Sequence, residues 1–294
     1  MTSMLGLDLG GTQIKSGLVE LSGSIDQIRR TPTPQQDPSG EASVEVLAEL
    51  ASGYQDFEAV GLVVPGLVDA ATGTCLLSGT LGWRNLPIAR MLEQKINKPV
   101  FLEHDVTASG VAELKVGAAQ GCDRAVVIAI GTALAAAMII QGKVFHPHPS
   151  VGEVGHAPLP NNRPCVCGKS GCVEMTVSGG ALSRNFLALT GENLTADEII
   201  SRSEQGDGPA RELVAEFVHG LGFSITWLSS VIAPEVVVIA GGLASAKDFL
   251  SAALDQELSK QIGIQLRPEI RFSTLGGNSG CIGAGLTAYE RMAK

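Results

Sequence analysis

Gly152-Glu153-Val154-Gly155-His156, followed by Cys165-Val166-Cys167-Gly168-Lys169-Ser170-Gly171-Cys172-Val173-Glu174, is the stretch from which the rest of the chain can be read. Three of the six cysteines fall within eight residues here, and His156 lies nine residues before the first of them. That is a Cys3His set, the donor set of tetrahedral zinc. Cys-x-Cys presents two thiolates from one tight turn, and Gly168 and Gly171 let the chain fold back to bring in Cys172. A disulfide and unpaired loop thiols are the alternatives. The disulfide needs an oxidising compartment, and Met1 leads almost directly into a strand-like run with no charged and apolar leader. Gly168-Lys169-Ser170 is not a Walker A loop, because that motif needs a glycine where Arg163 stands. Glu153 and Glu174 bracket the cysteines, and a closed Cys3His zinc needs neither. Either alone reads as a solvated side chain, but two carboxylates and a histidine pinned by a metal staple suit the hydroxyls of a polar ligand.

Around this stretch the composition is that of an α/β enzyme. The 294 residues are enough for two compact domains or one large one. Glycine is high at 36 residues and aromatics low at 4%, which points to tight turns and close backbone approaches. A net charge of −9 without any basic run argues against a nucleic-acid surface. No apolar stretch is long enough for a membrane span, and a cytoplasmic protein is the expectation.

Upstream, Met4 to Leu9 reads as a buried strand ending in Asp8-Leu9-Gly10-Gly11-Thr12, with Ile14 to Leu21 as its hairpin partner. The exposed N–H groups of such a tip and the Thr12 hydroxyl can hold phosphate oxygens, and Asp8 stands where a phosphate-bound magnesium needs an oxygen ligand. A plain Gly-Gly turn is the other reading. Thr31 to Gly40 is a loop, Glu41 to Ser52 a helix, Ala59 to Val64 a strand closing on Pro65-Gly66, Asp69 to Thr74 a turn, and Pro87 to Asn97 a helix. The strand Val100 to Leu102 delivers Glu103-His104-Asp105 to its carboxyl end, where open α/β sheets place ligands. Asp105 is therefore positioned for chemistry, or caps the helix that runs to Lys115. Arg124 to Ile130, Gly131-Thr132 and Ala133 to Ile140 then repeat the strand, Gly-Thr tip and strand of the opening, a loose internal duplication.

Downstream the chain is mostly helical, over Ser178 to Leu189, Ala196 to Glu204 and Pro209 to Ile232. Glu235 to Ala240 reads as a parallel-type strand ending at Gly241-Gly242, before a helix through Lys247 to Gln261. The glycine pair suits either close approach of a flat adenine or ribose, or a tight strand-to-helix turn. A last strand, Glu269 to Ser273, and a last helix, Gly280 to Met292, complete the chain.

With these motifs in this order, the chain resembles the ROK family of sugar kinases and repressors over essentially its whole length. The most specific part is the Glu-x-Gly-His plus Cys-x-Cys-Gly-x-x-Gly-Cys-x-Glu signature. The resemblance implies an α/β fold of the actin-like, ribonuclease-H-like kinase type, two α/β domains with a cleft between them that closes on sugar and ATP. They would comprise 1–115, with 280–294 packing back on it, and 116–279 carrying the zinc loop. It implies Asp105 as the catalytic base that takes a proton from the sugar hydroxyl. Glu153, His156 and Glu174 would bind sugar hydroxyls, with Gly66 and His104 beside them. His156, Cys165, Cys167 and Cys172 would hold a structural zinc. Asp8, Gly10, Gly11 and Thr12 would form one phosphate hairpin, Gly131 and Thr132 the second, and Gly241 and Gly242 the adenosine loop. ATP, Mg2+ and Zn2+ are the implied cofactors, and a homodimer the implied assembly. One base, a magnesium and two backbone cradles are a sufficient kit for phosphoryl transfer, which is mainly positioning and charge neutralisation.

Two departures stand out. The family usually has Asn where His104 stands, which leaves the sugar epimer or a 2-acetamido preference open. Kinases of the family usually show Gly-Thr-Gly-x-Gly-Gly-Gly where this chain has Gly131-Thr132-Ala133-Leu134-Ala135-Ala136-Ala137. Alanine adds a methyl group and does not readily adopt φ > 0. The expected function is ATP-dependent phosphorylation of a hexose at the 6-hydroxyl, glucose favoured. An N-acetylhexosamine kinase, a catalytically weak sugar sensor and a kinase with another phosphoryl donor are the alternatives. A sugar-responsive DNA-binding regulator is disfavoured, since the phosphate hairpin starts at Leu5 with no helix-turn-helix before it.

Overall fold

The computed structural model describes residues 3–293; Met1, where the leaderless start was read, and Lys294, the end of the 280–294 segment, lie outside the described residues. The chain divides into two compact units, Met1–Gln120 with Val144–Val151 and Gly277–Lys294, and Gly121–Lys143 with Gly152–Gly276. Residues 144–151 thus group with the first unit, whereas the sequence reading had put them in the second domain.

In the first unit β1 (Ser3–Leu9) and β2 (Gln13–Val19) form the antiparallel hairpin, and β3 (Ile25–Pro32) pairs outside β2. After α1 (Glu41–Ser52), β4 (Phe57–Val64) adds parallel to β1. A three-stranded meander of β5 (Leu67–Asp69), β6 (Thr74–Ser78) and β7 (Trp83–Leu86) follows, where the sequence suggested only a turn. Its strands are short and lack alternation, so only their pairing with one another defines them. Then come α2 (Ile88–Ile96), β8 (Val100–His104), parallel to β4, and α3 (Asp105–Val116). The sheet order is β3-β2-β1-β4-β8. The two-residue period of β1 separates its duties. Leu5, Leu7 and Leu9 are fully buried in a core with Val44, Leu47, Ile88 and Leu92, while Gly6 and Asp8 face the other way.

The second unit repeats this topology. β9 (Ala125–Ile130) and β10 (Leu134–Ile140) form a hairpin, and β11 (Lys143–Val144) extends it beyond β10. Four helices come next: α4 (Glu174–Val177), α5 (Gly179–Thr190), α6 (Ala196–Glu204) and the 25-residue α7 (Gly208–Ile232). β12 (Val236–Ala240), α8 (Lys247–Gln261) and β13 (Glu269–Phe272) complete the sheet in the order β11-β10-β9-β12-β13. The duplication read from two Gly-Thr tips is therefore a duplication of whole sheets. A Thr195–Glu198 capping box starts α6, and Asp207 with Pro209 starts α7, so both helices begin where local chemistry dictates. No helix among the described residues is long and apolar enough to cross a membrane.

The last helix, α9 (Ser279–Met292), lies on the face of the first sheet that carries Gly6 and Asp8. The approach is close enough that a Cβ on Gly6 would collide with the Cys281 carbonyl, one on Gly61 with the Ala284 carbonyl, and one on Gly283 with the Ala108 carbonyl of α3. Backbone, not side chain, sets this separation. We expect Gly61→Val, in spite of valine's preference for strands, to destabilise the protein by about 3 kcal/mol or more through overpacking. Thermal unfolding checks this; a melting temperature unchanged by the valine would mean that α9 does not cross β4 so closely.

Candidate active site

The residues singled out in the sequence fall into two groups, one on each unit. On the first unit, the β1–β2 tip carries Gly10, Gly11 and an exposed Thr12. Neither glycine has a positive φ, so the pair serves close approach rather than a special turn: a Cβ on Gly11 would strike the Thr80 methyl. The tip is braced from behind, where Thr33 Oγ1 donates to the Gly10 carbonyl (2.7 Å) and Gln35 Nε2 to the Gly11 carbonyl (3.0 Å). Those carbonyls are thereby occupied on the inner side.

Asp8 pairs across the hairpin with Lys15, whose Nζ is 3.6 Å from Asp8 Oδ2 and donates to the Gly277 carbonyl at 2.7 Å. Lys15 was not singled out in the sequence, although the hairpin register around Gly10-Gly11-Thr12 places it directly opposite Asp8. The first turn of α9 arrives beside the same carboxylate, since a Cβ on Gly280 would lie 2.7 Å from Asp8 Oδ2. Burial pushes the Asp8 carboxyl up from 3.8 to about 6; Lys15 pulls the other way and the charge of Asp105 adds to the rise. A carboxylate in this position is improved by an added cation, as a magnesium ligand would be.

Gly66, after β4, has φ +113° and passes so close to β6 that a Cβ would lie 2.9 Å from the Ser78 Cα. Its glycine is thus explained by the meander. At the end of β8, His104 is the N-cap residue of α3 and Asp105 its first helical residue, so Asp105 does not cap the helix from the cap position. Asp105 Oδ1 accepts the Val106 N–H at 2.8 Å and lies 3.0 Å from His104 Nε2; Asp105 is 37% exposed at its side chain. Among the described residues its other oxygen has no partner.

On the second unit, the Gly131-Thr132-Ala133 tip sits on the start of α5. Gly179 N–H donates to the Gly131 carbonyl at 2.8 Å, and a Cβ on Gly180 would come within 2.5 Å of the Thr132 carbonyl. Gly179 and Gly180 escaped the sequence reading; two glycines directly after the helix-capping Ser178 were the available signal. No residue from Gly131 to Ala137 has a left-handed φ, so the alanines meet no conformational obstacle in this hairpin. At the end of β12, Gly241 has φ +89° and packs against the backbone of Ile130, while a Cβ on Gly242 would meet open space. The tight turn accounts for the first glycine of that pair.

Glu174 is buried at the start of α4, and its Oε2 accepts the Leu134 N–H at 3.0 Å, which ties this acid to the second hairpin. His156 Nε2 is 3.8 Å from Glu153 Oε2, and its Nδ1 is 3.6 Å from Cys165 Sγ. One ring nitrogen thus faces Glu153 and the other the sulfurs. Cys167 Sγ and Cys172 Sγ are 3.5 Å apart, and the ligand atoms of His156, Cys165, Cys167 and Cys172 lie within 4.8 Å of one another. A disulfide needs about 2.05 Å. A tetrahedron with Zn–S bonds of about 2.3 Å has edges of about 3.8 Å, so the four donors fit such an ion. Burial, with neighbouring thiols, pushes Cys172 up to about 12, while the Lys169 backbone N–H holds the exposed Cys167 thiol below its usual value. A cation held by the cluster would favour the thiolate form of Cys172.

Two sheets of the same topology, each opening with an antiparallel hairpin, define the actin-like, ribonuclease-H-like fold of sugar kinases. The chain belongs to the ROK family, whose model matches residues 4–291. It is 29% identical to a glucokinase of Halalkalibacterium halodurans, over 96% of this chain and 93% of that protein. It is 30% identical to an N-acetyl-D-glucosamine kinase of Vibrio vulnificus, over 82% and 84%. A ROK family glucokinase from Streptomyces griseus, solved in complex with glucose and AMPPNP, superposes with a TM-score of 0.86 at 29% identity, covering 98% of this chain and 99% of that one.

The buried charge at Asp8 has a measurable consequence. Its folded pKa of about 6 exceeds the ordinary 3.8, so the folded state gains from the proton below 3.8 and loses that gain as pH rises through 6. Asp8→Asn, neutral at every pH, is expected to stabilise the ligand-free protein at pH 7 by up to about 3 kcal/mol, from a shift of about two units at about 1.4 kcal/mol each. Denaturant titrations at pH 7 and pH 4 check this. The gain should nearly vanish at pH 4, and an equal gain at both would assign it to something other than the buried charge.

Proposed function

We propose that this sugar kinase transfers the terminal phosphoryl group of ATP to a hexose, glucose favoured, at the 6-hydroxyl. The observation that carries the reading is Asp105 at the carboxyl end of β8, with one carboxylate oxygen held and the other unengaged, on a chain that matches a glucokinase solved with glucose and AMPPNP along 98% of its length. In this reading Asp105 accepts the proton of the attacking hydroxyl. Glu153, His156 and Glu174 hold sugar hydroxyls, with Gly66 alongside. The tips Gly10-Gly11-Thr12 and Gly131-Thr132 offer N–H and hydroxyl donors to phosphate oxygens, and Asp8 is the oxygen ligand for magnesium. Gly241 and Gly242 form the loop for the adenosine. Magnesium, when bound with ATP, would neutralise charge on the phosphates. The Cys3His cluster would hold a closed structural zinc that fixes the segment between Glu153 and Glu174.

A second reading, phosphorylation of an N-acetylhexosamine, is supported by the similarity to the Vibrio vulnificus N-acetyl-D-glucosamine kinase. Incubation with MgATP and a panel of hexoses and N-acetylhexosamines, read by mass, separates the two. Glucose should gain one phosphate, and a product from N-acetylglucosamine or N-acetylmannosamine alone would select the second reading. A panel with no product but measurable sugar binding would sink both in favour of a sensor or another donor.

Metal analysis of freshly purified, reduced protein should find about one zinc per chain. Cys172→Ser should lose it and melt at lower temperature. Wild-type protein without zinc would return the cysteines to free thiols.

A further inference from the structure

The end of β8 carries more than a base. The His104 side chain is only 6% exposed, so little of its ring is left for a bound sugar. Its Nε2 is instead 3.0 Å from Asp105 Oδ1, the same oxygen that accepts the Val106 N–H.

Behind His104 stand residues brought from three parts of the chain. His146 stacks on it at 6.5 Å between centroids, with 17° between the planes. The buried Glu103 accepts the His104 backbone N–H through Oε1 at 3.0 Å, and the same oxygen is 3.5 Å from His146 Nδ1. Glu103 Oε2 accepts from Arg291 Nη2 at 2.7 Å, and Arg291 Nη1 donates to the carbonyls of Ala70 (2.8 Å) and Leu102 (3.2 Å). The last turn of α9, the 144–151 segment and β8 thus meet behind His104, with His146 facing its ring and Glu103 holding its backbone N–H. Burial lowers the His146 pKa in spite of Glu103, which keeps that ring a neutral stacking partner.

We propose that His104 is a positioning residue: supported by His146, Glu103 and Arg291, it holds Oδ1 of Asp105 and so presents Oδ2 to the acceptor hydroxyl. The proposal rests on the reading of Asp105 as the base. A carboxylate free to rotate offers either oxygen in many orientations, and misplacement of a reacting group by an ångström can cost about a hundredfold in rate. Fixing one oxygen with two neighbours removes that freedom before substrate arrives. A glutamine at 104 carries an amide N–H as far from the backbone as Nε2, so that exchange keeps the contact, whereas an apolar side chain, or an asparagine that stops one bond short, loses it.

The test measures kcat, both KM values and the melting temperature with MgATP and glucose, or N-acetylglucosamine if that is the acceptor. His104→Phe keeps the ring stack and lacks the nitrogen. It should lower kcat about 10- to 100-fold with the sugar KM within about twofold and the melting temperature unchanged, and His104→Gln should recover kcat to within about fivefold of wild type. A raised sugar KM with kcat intact in His104→Phe would make His104 a substrate contact and overturn the proposal, as would wild-type kinetics. Should His104→Phe fail to fold, His104→Gln and His104→Ala carry the same comparison, and equal kcat values in the two overturn it. Asp105→Asn separates the underlying reading. Turnover retained in that variant removes Asp105 as the base, whereas a dead Asp105→Asn beside a normal His104→Phe removes only the positioning role.

Discussion

The first unit depends on how closely α9 lies on its sheet. Gly6, Gly61 and Gly283 remove the side chains that would hold the backbones apart, so the helix is located by carbonyl contact rather than by interlocking side chains. Its 14 residues span about 21 Å. One end brings Gly280 to Asp8, where the positive end of the helix dipole faces a buried acid. The other end brings Arg291 to Glu103, behind His104 and Asp105. A single packing constraint thus sets the surroundings of both acids. A loose α9 would disturb the β1 hairpin and the end of β8 together.

The second unit uses the same topology with different bracing. The first hairpin tip is held by side chains, Thr33 and Gln35, acting on its carbonyls. The second is held by the backbone of α5, and needs Gly179 and Gly180 for the contact. Its base is tied to Glu174 through the Leu134 N–H, and Glu174 follows directly on the cysteine cluster. A metal at Cys165, Cys167, Cys172 and His156 would therefore stiffen the acids and the hairpin at once, without touching either.

Much of this was legible because it is local. Helices over Glu41–Ser52, Ala196–Glu204 and Lys247–Gln261 fall on the residues that periodicity and end signals picked out. The Cys3His cluster was readable from spacing, since its thiols lie within one short loop. Other features depended on distant partners. The β5–β7 meander has three short strands that only pair with one another. Lys15 gains a role from Asp8 across the hairpin and from Gly277, which is 262 residues away in the chain. For alanines 133–137 only the structure could show that none has a left-handed φ, so the conformational part of that departure carries no penalty.

By itself the sequence determined most of the helices and the longer strands, the two hairpin tips, the metal-type donor set and the membership of a kinase family, because each is written in residue types at short spacing. Tertiary structure alone decided that His104 faces Asp105, that His146 and Arg291 stand behind it, and that Asp8 is buried beside the start of α9. The physical reason is that burial and polar partnership belong to the packed chain. A histidine next to an aspartate in sequence can point anywhere until residues 42 and 187 positions further on close around it.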